Sequence, residues 1–339
     1  MGHKKKGSST RRSLHQQAYD RFQSMQAWGD SKRDDKTSDP AAVRDKLYSF
    51  STYKTYFQQT KQFLRWVKEQ HPETQNLKEA RQYRRDWLQK QVNDGASAWT
   101  VSTASAALNK LYDIRPEDPD YFTPPKRQKA DIVRSRGPKI RDQHFSETKN
   151  ADLVNFCRGV GPRVNVLRKL RSDDLYTRDQ AEAALAAAKA RDDKAAVKAI
   201  TEALKLYPDQ DYFVRHYRDK NGKTRFAPIV GPHKFEIVER FRNTPPGKKV
   251  WEYVNTNADI HGYRADYATY LYKLTARPIE SLKYRNKMLC EDGKYRSEIY
   301  VCRGVDHGKK LDRRAIHLIS VALGHGREDT AIANYIRNL

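Results

Sequence analysis

The spacing of apolar residues predicts a compact helical domain in the first half of the chain. Between residues 47 and 70, aromatic and aliphatic side chains recur three, four or seven positions apart, as on one face of a helix. The pair His71-Pro72 should end this helix. Two further helices are predicted over residues 77–92 and 99–112. Together they indicate an all-helical domain over residues 43–115.

Two segments without this periodicity flank the helical domain. Residues 1–42 are basic, polar and poor in aliphatic side chains, which predicts a flexible arm. Residues 116–146 contain several prolines and a run of basic residues, which indicates an interdomain linker, either a strap along a DNA backbone or a solvated hinge. The candidate DNA contacts are Lys126, Arg127, Lys129, Arg134 and Arg136, with Lys223 further along the chain.

The second half of the chain, residues 147–339, mixes helical and strand patterns. Residues 212–217 and 224–230 alternate as in a β-hairpin, with Asn221-Gly222 as its turn. An alanine-rich helical insertion occupies about 177–207, and helical patterns return after the hairpin. The predicted fold class is mostly α with a small β-hairpin or sheet (α+β).

Composition indicates a polyanionic partner. The 339 residues suffice for two domains, and 66 Lys and Arg against 42 Asp and Glu give a formal charge of +24. No apolar run approaches the length of a membrane span. Three cysteines without a CxxC spacing and an N-terminus without an apolar leader predict a cytoplasmic protein. A metal site drawn from Cys290, Cys302 and His307 fits no common spacing.

A set of chemically capable residues follows in a fixed order. Each of them alone has an ordinary structural explanation, such as a surface arginine or a packed core histidine. The set is Arg163 after a Gly-Pro pair, Lys220 at the predicted hairpin tip, His261 and Arg264 three residues apart, His325 in a Leu-Gly-His sequence, and Tyr335 ten residues later.

This order resembles that of the tyrosine recombinase (phage integrase) family. The family carries an Arg in a G-x-R turn, a Lys on a β-hairpin, H-x-x-R, L-G-H and a nucleophilic Tyr. Tyr53, Phe63 and Trp66 also resemble the pattern of its core-binding domain. The resemblance implies a helical SAM-like core-binding domain followed by a recombinase catalytic domain, and it covers about 290 of the 339 residues.

These residue types suit metal-free phosphoryl transfer. Arg163 and Arg264 offer planar forks of donors for a phosphate. A tyrosine hydroxyl has a pKa near 10, so Tyr335 needs a base, for which His261 is the candidate, while His325 would hydrogen-bond the phosphate. Lys220 would protonate the leaving 5′-oxygen, with Lys223 as the alternative. By resemblance, the product is a 3′-phosphotyrosyl bond, formed without a cofactor or a metal.

The resemblance further implies double-stranded attachment sites, a homotetramer on synapsed DNA, an accessory directionality factor, and integration or excision of a mobile element in the nucleoid of a bacterium. The alternatives are a resolvase or type IB topoisomerase-like enzyme, a catalytically silent DNA-binding protein of the same fold, and a helix-turn-helix regulator. Tetramer formation on paired sites and covalent attachment to DNA separate these classes.

Two positions and one spacing depart from the family pattern. Val166 stands where the family often has Glu or Asp three residues after its first Arg, and Ala265 follows the H-x-x-R sequence. The spacing from His325 to Tyr335 is ten rather than the common nine. Four residues follow Tyr335, too few for a docking helix, so Gln180–Leu206 is a hypothetical link between protomers.

Overall fold

A computed structural model describes most of the chain, and it divides into two compact units, Met1–Asp131 and Ile132–Leu339. The described residues are 12–128, 144–219, 222–282, 287–290, 293–302, 306–325 and 328–336.

The first unit is helical within its described residues. Its helices are α1 (Leu14–Gln23), α2 (Lys32–Ser38), α3 (Phe50–Gln70), α4 (Leu77–Ala80), α5 (Arg84–Asn93) and α6 (Ala98–Tyr112). Ser49 and Ser97 cap α3 and α6 by accepting backbone hydrogen bonds at 3.2 Å, and His71 ends α3 as predicted. Phe63, Trp87 and Leu108 pack together in its core. The helices predicted between residues 47 and 112 are therefore confirmed.

The expectation of a flexible arm over residues 1–42 is wrong for its described part. Leu14, Ala18 and Phe22 lie four residues apart on α1 and are buried in the core of the first unit. The residues after α1 lie beside Leu47, whose N–H donates to the carbonyl of Met25. Few apolar residues suffice here because their helical spacing puts them on one face. Residues 1–11 lie outside the described residues.

The second unit combines helices with short antiparallel sheets. Its helices are α7 (Ala151–Val160), α8 (Val164–Leu167), α9 (Arg178–Ala190), α10 (Lys194–Leu206), α11 (Lys234–Arg242), α12 (Ile260–Thr275), α13 (Arg313–Ala322) and α14 (Glu328–Asn334). Its strands are β1 (Leu175–Thr177), β2 (Tyr212–His216), β3 (Arg225–Pro228), β4 (Lys287–Leu289), β5 (Tyr295–Ser297), β6 (Ile299–Val301) and β7 (Lys310–Asp312). The predicted α+β class, mostly helical with small sheets, is confirmed.

The predicted hairpin is present and belongs to a larger sheet. Strands β2 and β3 pair antiparallel with His216 opposite Arg225, and β1 adds a third strand beside β2. Beyond β2, the N–H of Asp219 donates to the carbonyl of Lys223 at 2.7 Å. The N–H of Gly222 donates to the carbonyl of Asp219 at 2.8 Å, which closes the turn.

Two further hairpins, β4–β5 and β6–β7, lie between α12 and α13, where the sequence pattern predicted helices. Each of these strands has three residues, too few for a period of two to be recognised. Their pairing depends instead on contacts between neighbouring strands, such as Tyr300 opposite Leu311.

The helical insertion is part of the core of the second unit. Ala181, Ile200 and Ala203 on α9 and α10 are buried in the same apolar cluster as Tyr335. After α10, the hydroxyl of Tyr207 donates to the carbonyl of Leu318 on α13. These two helices therefore support the element from which the Leu-Gly-His sequence extends.

Candidate active site

The Leu-Gly-His sequence forms the C-terminal cap of α13. Gly324 has φ +65°, a left-handed conformation that suits glycine. Its N–H donates to the carbonyl of Val321 at 2.8 Å, and the N–H of His325 donates to that of Ser320 at 2.8 Å. These two bonds are a Schellman motif, and they place His325 just beyond the helix end.

Three arginines meet the carbonyls at this helix end. Arg163 and Arg264 both donate to the carbonyl of Leu323, the first at 3.4 Å. Nε of Arg225 donates to the carbonyl of Ala322 at 2.6 Å. The last carbonyls of a helix lack partners within the helix and carry the negative end of its dipole, so they attract guanidinium groups. The cap of α13 thus assembles the cationic side of the site.

The Gly-Pro-Arg turn after α7 completes the arginine arrangement. Gly161 ends α7 with φ +60°, and a Cβ at this position would lie 2.4 Å from Cδ1 of Tyr267. Glycine is therefore required for α7 and α12 to approach this closely. The carbonyl of Gly161 accepts a hydrogen bond from Arg264, and Arg163 follows two residues later with its side chain only partly exposed.

Tyr335 packs inside the same cluster. Its ring lies nearly parallel to that of His261, with centroids 5.0 Å apart, and 5.1 Å from the ring of His325. Cζ of Arg264 lies 5.3 Å from the centroid of the Tyr335 ring. Five of the six predicted catalytic residues, Arg163, His261, Arg264, His325 and Tyr335, thus converge in one place.

Burial and the neighbouring arginines perturb the titration of this cluster. Burial, followed by the charges of Arg225 and Arg163, lowers the pKa of Arg264 to about 9. Burial and the same kind of neighbours lower the pKa of His325 to about 3, so its imidazole is neutral at physiological pH. Arg264 stays cationic at that pH. The site therefore holds positive charge that a bound anion would stabilise.

Two buried nitrogens on the side chains that pack against Tyr335 have no hydrogen-bond partner among the described residues. They are Nε of Arg264 and Nε2 of His325. A buried polar atom without a partner is costly, and it marks a place where a ligand can supply the missing bond. Together with the excess of positive charge, these atoms suit the oxygens of a phosphate group.

Lys220 lies outside the described residues, so its assignment stays a prediction. Lys223 is described and exposed, and its carbonyl closes the hairpin turn. Among the predicted DNA contacts, Lys126 and Arg127 are exposed on the first unit in a stretch without helix or strand. Lys129, Arg134 and Arg136 lie outside the described residues.

Sequence reasoning missed three residues of this cluster. Asp219 accepts hydrogen bonds from Arg163 and Arg225, and Arg225 also bonds Nδ1 of His216 at 2.6 Å. All three are buried, and burial lowers the pKa of His216 well below its usual value. One signal was present in the sequence: three charged residues, Asp219, Lys220 and Arg225, lie at or near a predicted turn, and Arg225 begins a strand that is otherwise apolar.

A basic groove lies in the same unit. It has a volume of about 360 Å³ and is lined by Val166, Lys169, Leu170, Arg171, Asp174, Arg215, Tyr217 and Lys249. Arg215 pairs with Asp174 at 2.8 Å, which neutralises one of its four cations. The exposed Lys169 and Lys249 supply positive charge on its rim. Such a surface suits a DNA backbone rather than a neutral ligand.

The depressed histidine pKa predicts a pH-dependent stability. Since the pKa of His325 is about 3 in the folded chain and about 6.5 in an unfolded one, the unfolded chain binds more protons between these values. The free energy of unfolding should therefore rise as the pH increases from about 3 to 6.5. Urea unfolding across this range should show a shallower rise for His325→Gln than for the wild type. An identical pH dependence in the two proteins would contradict the neutral, half-buried state of His325.

The family model that matches this chain covers part of the first unit. Residues 41–118 match the family described as "Phage integrase, N-terminal SAM-like domain". A comparison with curated proteins gave no match. Among solved structures, one titled "Crystal structure of XerA recombinase" aligns with 14% identity and a TM-score of 0.27, over 95% of this chain and 94% of that chain. A TM-score this low supports no conclusion about fold or function.

Residues 41–118 of the first unit are thus similar to the SAM-like helical domain that phage integrases carry at their N-terminal side. The match covers less than half of the chain and shows a likeness of this one domain to that of phage integrases. The matched residues include none of the candidate catalytic residues, whose assignment rests on their geometry. Among the described residues, no helix is both long enough and apolar enough to cross a membrane.

Proposed function

We propose that this protein is a site-specific recombinase that cleaves and rejoins duplex DNA through Tyr335, integrating or excising a mobile element. One observation carries the proposal: the ring of Tyr335 packs against His261, His325 and Arg264. Arg163 joins the group by sharing the carbonyl of Leu323 with Arg264. A nucleophile, a base and two phosphate ligands are the parts that metal-free phosphoryl transfer requires.

In the proposed cleavage step, the Tyr335 oxygen attacks the scissile phosphorus, and the bond from phosphorus to the 5′-oxygen breaks. The tyrosine proton passes to His261, and the departing 5′-oxygen takes a proton from Lys220. Arg163 and Arg264 stabilise the charge on the non-bridging oxygens, and Nε2 of the neutral His325 donates to one of them. The 3′-phosphotyrosyl bond retains the energy of the cleaved bond, so a 5′-hydroxyl can reverse the step without ATP.

The position of Tyr335 favours cleavage by a chain's own tyrosine. The carbonyl of Tyr335 accepts a hydrogen bond from Thr269 on α12, at 3.3 Å. The N–H of Tyr335 donates to the carbonyl of Ala331 at 2.9 Å, which continues α14 to the nucleophile. His261 and Arg264 stand on α12 as well, so one helix holds both the tyrosine and two of its partners.

A trapping experiment tests the function. Selection from a pool of randomised duplexes first gives a bound sequence, which is then built with a nick beside each candidate scissile phosphate. Loss of the short 5′-hydroxyl fragment after cleavage prevents rejoining, so a covalent adduct should accumulate on denaturing gels, in EDTA as well. Peptide mapping should place the nucleotide on the segment containing Tyr335. Tight, specific binding without an adduct would favour the silent DNA-binding alternative.

Assembly into a tetramer is a further part of the proposal, and paired sites in a synapsis assay would separate a recombinase from a topoisomerase. The helical pair α9–α10 stays a candidate link between protomers. Because Ala181, Ile200 and Ala203 are buried, deleting this segment would disrupt the core as well as any assembly contact. Substitutions at exposed positions such as Ala186 and Ala187 separate the two effects.

The basic groove should contribute to DNA affinity without choosing the sequence. We expect Lys169→Ala and Lys249→Ala each to lower the salt dependence of binding, by about 0.9 in the slope of log affinity against log salt. Affinity should fall equally for specific and random duplexes, because phosphate contacts carry no base information. Fluorescence anisotropy over a salt series measures both quantities. Lys198→Ala, an exposed lysine of α10 outside the groove, is the matched control. An unchanged slope in the groove variants would remove this surface from the DNA interface.

A further inference from the structure

The carboxylate that family members often place three residues after their first arginine is missing here. Val166 occupies that position and is buried among Leu167, Ile237 and other apolar side chains of the second unit. Its side chain has no oxygen that could orient Arg163. A guanidinium that acts as a phosphate ligand must nevertheless be held in place, since a misplacement of about 1 Å can cost 10²-fold in rate.

Asp219 supplies a carboxylate from a different element. Its side chain is 3% exposed, and Oδ2 accepts hydrogen bonds from Nη1 of Arg163 and from Nη1 of Arg225. Charge-assisted bonds of this kind are among the stronger hydrogen bonds in proteins. The carboxylate also separates two guanidiniums that would otherwise repel one another.

Arg225 anchors Asp219 to the rigid part of the fold. Its Nε donates to the carbonyl of Ala322 at 2.6 Å, and its Nη2 contacts Nδ1 of His216 at 2.6 Å. Arg225 and His216 are a cross-strand pair in β3 and β2, and both are buried. Asp219 is therefore held on one side by the sheet and by the end of α13, and it holds Arg163 on the other.

The backbone of Asp219 belongs to the hairpin turn. Its N–H donates to the carbonyl of Lys223 at 2.7 Å, and its carbonyl accepts from Gly222 at 2.8 Å. Lys220, the proposed acid, is the next residue in the chain. One residue thus bonds a phosphate ligand through its side chain and begins the lysine turn through its backbone.

We infer that Asp219 is a positioning residue that replaces the carboxylate missing at Val166 and ties the Arg163 phosphate ligand to the Lys220 turn. This inference rests on the proposed function, because it assigns Lys220 as the acid and Arg163 as a phosphate ligand. The juxtaposition of the Asp219 side chain with Arg163 and Arg225, together with its backbone bonds in the turn, carries it.

The test measures the single-turnover rate of adduct formation at saturating DNA with two suicide substrates. One has the natural 5′-oxygen, and the other has sulfur at that position, whose thiolate leaves without protonation. The rate of Lys220→Ala should fall about 10²–10⁴-fold with the oxygen substrate and recover with the sulfur substrate. Arg163→Ala should be slow with both. In Asp219→Asn the rate should fall about 10²-fold with the oxygen substrate and recover only in part with the sulfur substrate, because both Arg163 and the Lys220 turn are displaced.

The ratio of the two rates within one protein does not depend on its folded fraction, so partial unfolding of Asp219→Asn cannot imitate the result. Asp219→Glu, which keeps the charge, should restore part of the rate with oxygen. The matched control is Asp211→Asn, at the other end of β2, where the carboxylate pairs with Lys234 at 2.8 Å. It should behave as the wild type.

An unchanged rate in Asp219→Asn would overturn the inference. A loss with no recovery on sulfur would overturn the link to the lysine turn. Failure of the proposed function gives a different result, since the wild type would then form no adduct with either substrate.

Discussion

The Tyr335→Phe variant should form no covalent adduct with DNA, while its fold and its affinity for the bound sequence stay as in the wild type. The substitution removes only the hydroxyl that is proposed to attack phosphorus. The ring is retained, and with it the packing against His261 and His325. Denaturing gels of the trapped reaction and anisotropy titrations measure the two properties on the same preparation.

A second buried tyrosine provides the matched control. Tyr267 on α12 is fully buried, and its hydroxyl donates to the carbonyl of Pro228 at 3.0 Å. Tyr267→Phe should lower stability by about 1–3 kcal/mol, because it leaves a buried carbonyl without its partner. Its adduct should form normally. Adduct formation by Tyr335→Phe would show that another residue is the nucleophile.

The Arg264→Lys variant should cleave about 10²–10³-fold more slowly than the wild type. Lysine keeps a positive charge but lacks the fork with which Arg264 bonds the carbonyls of Gly161 and Leu323 at the same time. It therefore cannot hold a fixed direction toward a phosphate. Single-turnover rates at saturating DNA measure the loss without a contribution from affinity.

Arg84→Lys separates this effect from the general cost of replacing a buried arginine. Arg84 is 1% exposed, as is Arg264, but it lies in the first unit and bonds Asn109 at 2.8 Å. Arg84→Lys should lower the thermal stability and leave the cleavage rate of DNA-saturated protein near that of the wild type. Equal rate losses in the two variants would show that Arg264 acts only through the fold.

The sequence alone determined the elements whose information is local. The helices between residues 50 and 112 follow from apolar spacing, and the β2–β3 hairpin follows from alternation around Asn221-Gly222. The order of Arg163, His261, Arg264, His325 and Tyr335 was readable as well, because each stands in a short motif. The α1 helix was not predicted, because its segment is basic and polar in composition and only the four-residue spacing of a few apolar side chains indicates a buried face.

Only the tertiary structure decided which groups orient these residues. Arg163 meets the carbonyl of Leu323 across 160 positions of the chain, and Gly161 is 103 positions from Arg264. No local pattern encodes such a contact, since it depends on how α7, α12 and α13 pack. The contact of Asp219 with Arg163, 56 positions apart, is of the same kind. A hydrogen bond depends on the positions of two groups in space, and residues far apart in sequence satisfy that condition only after folding.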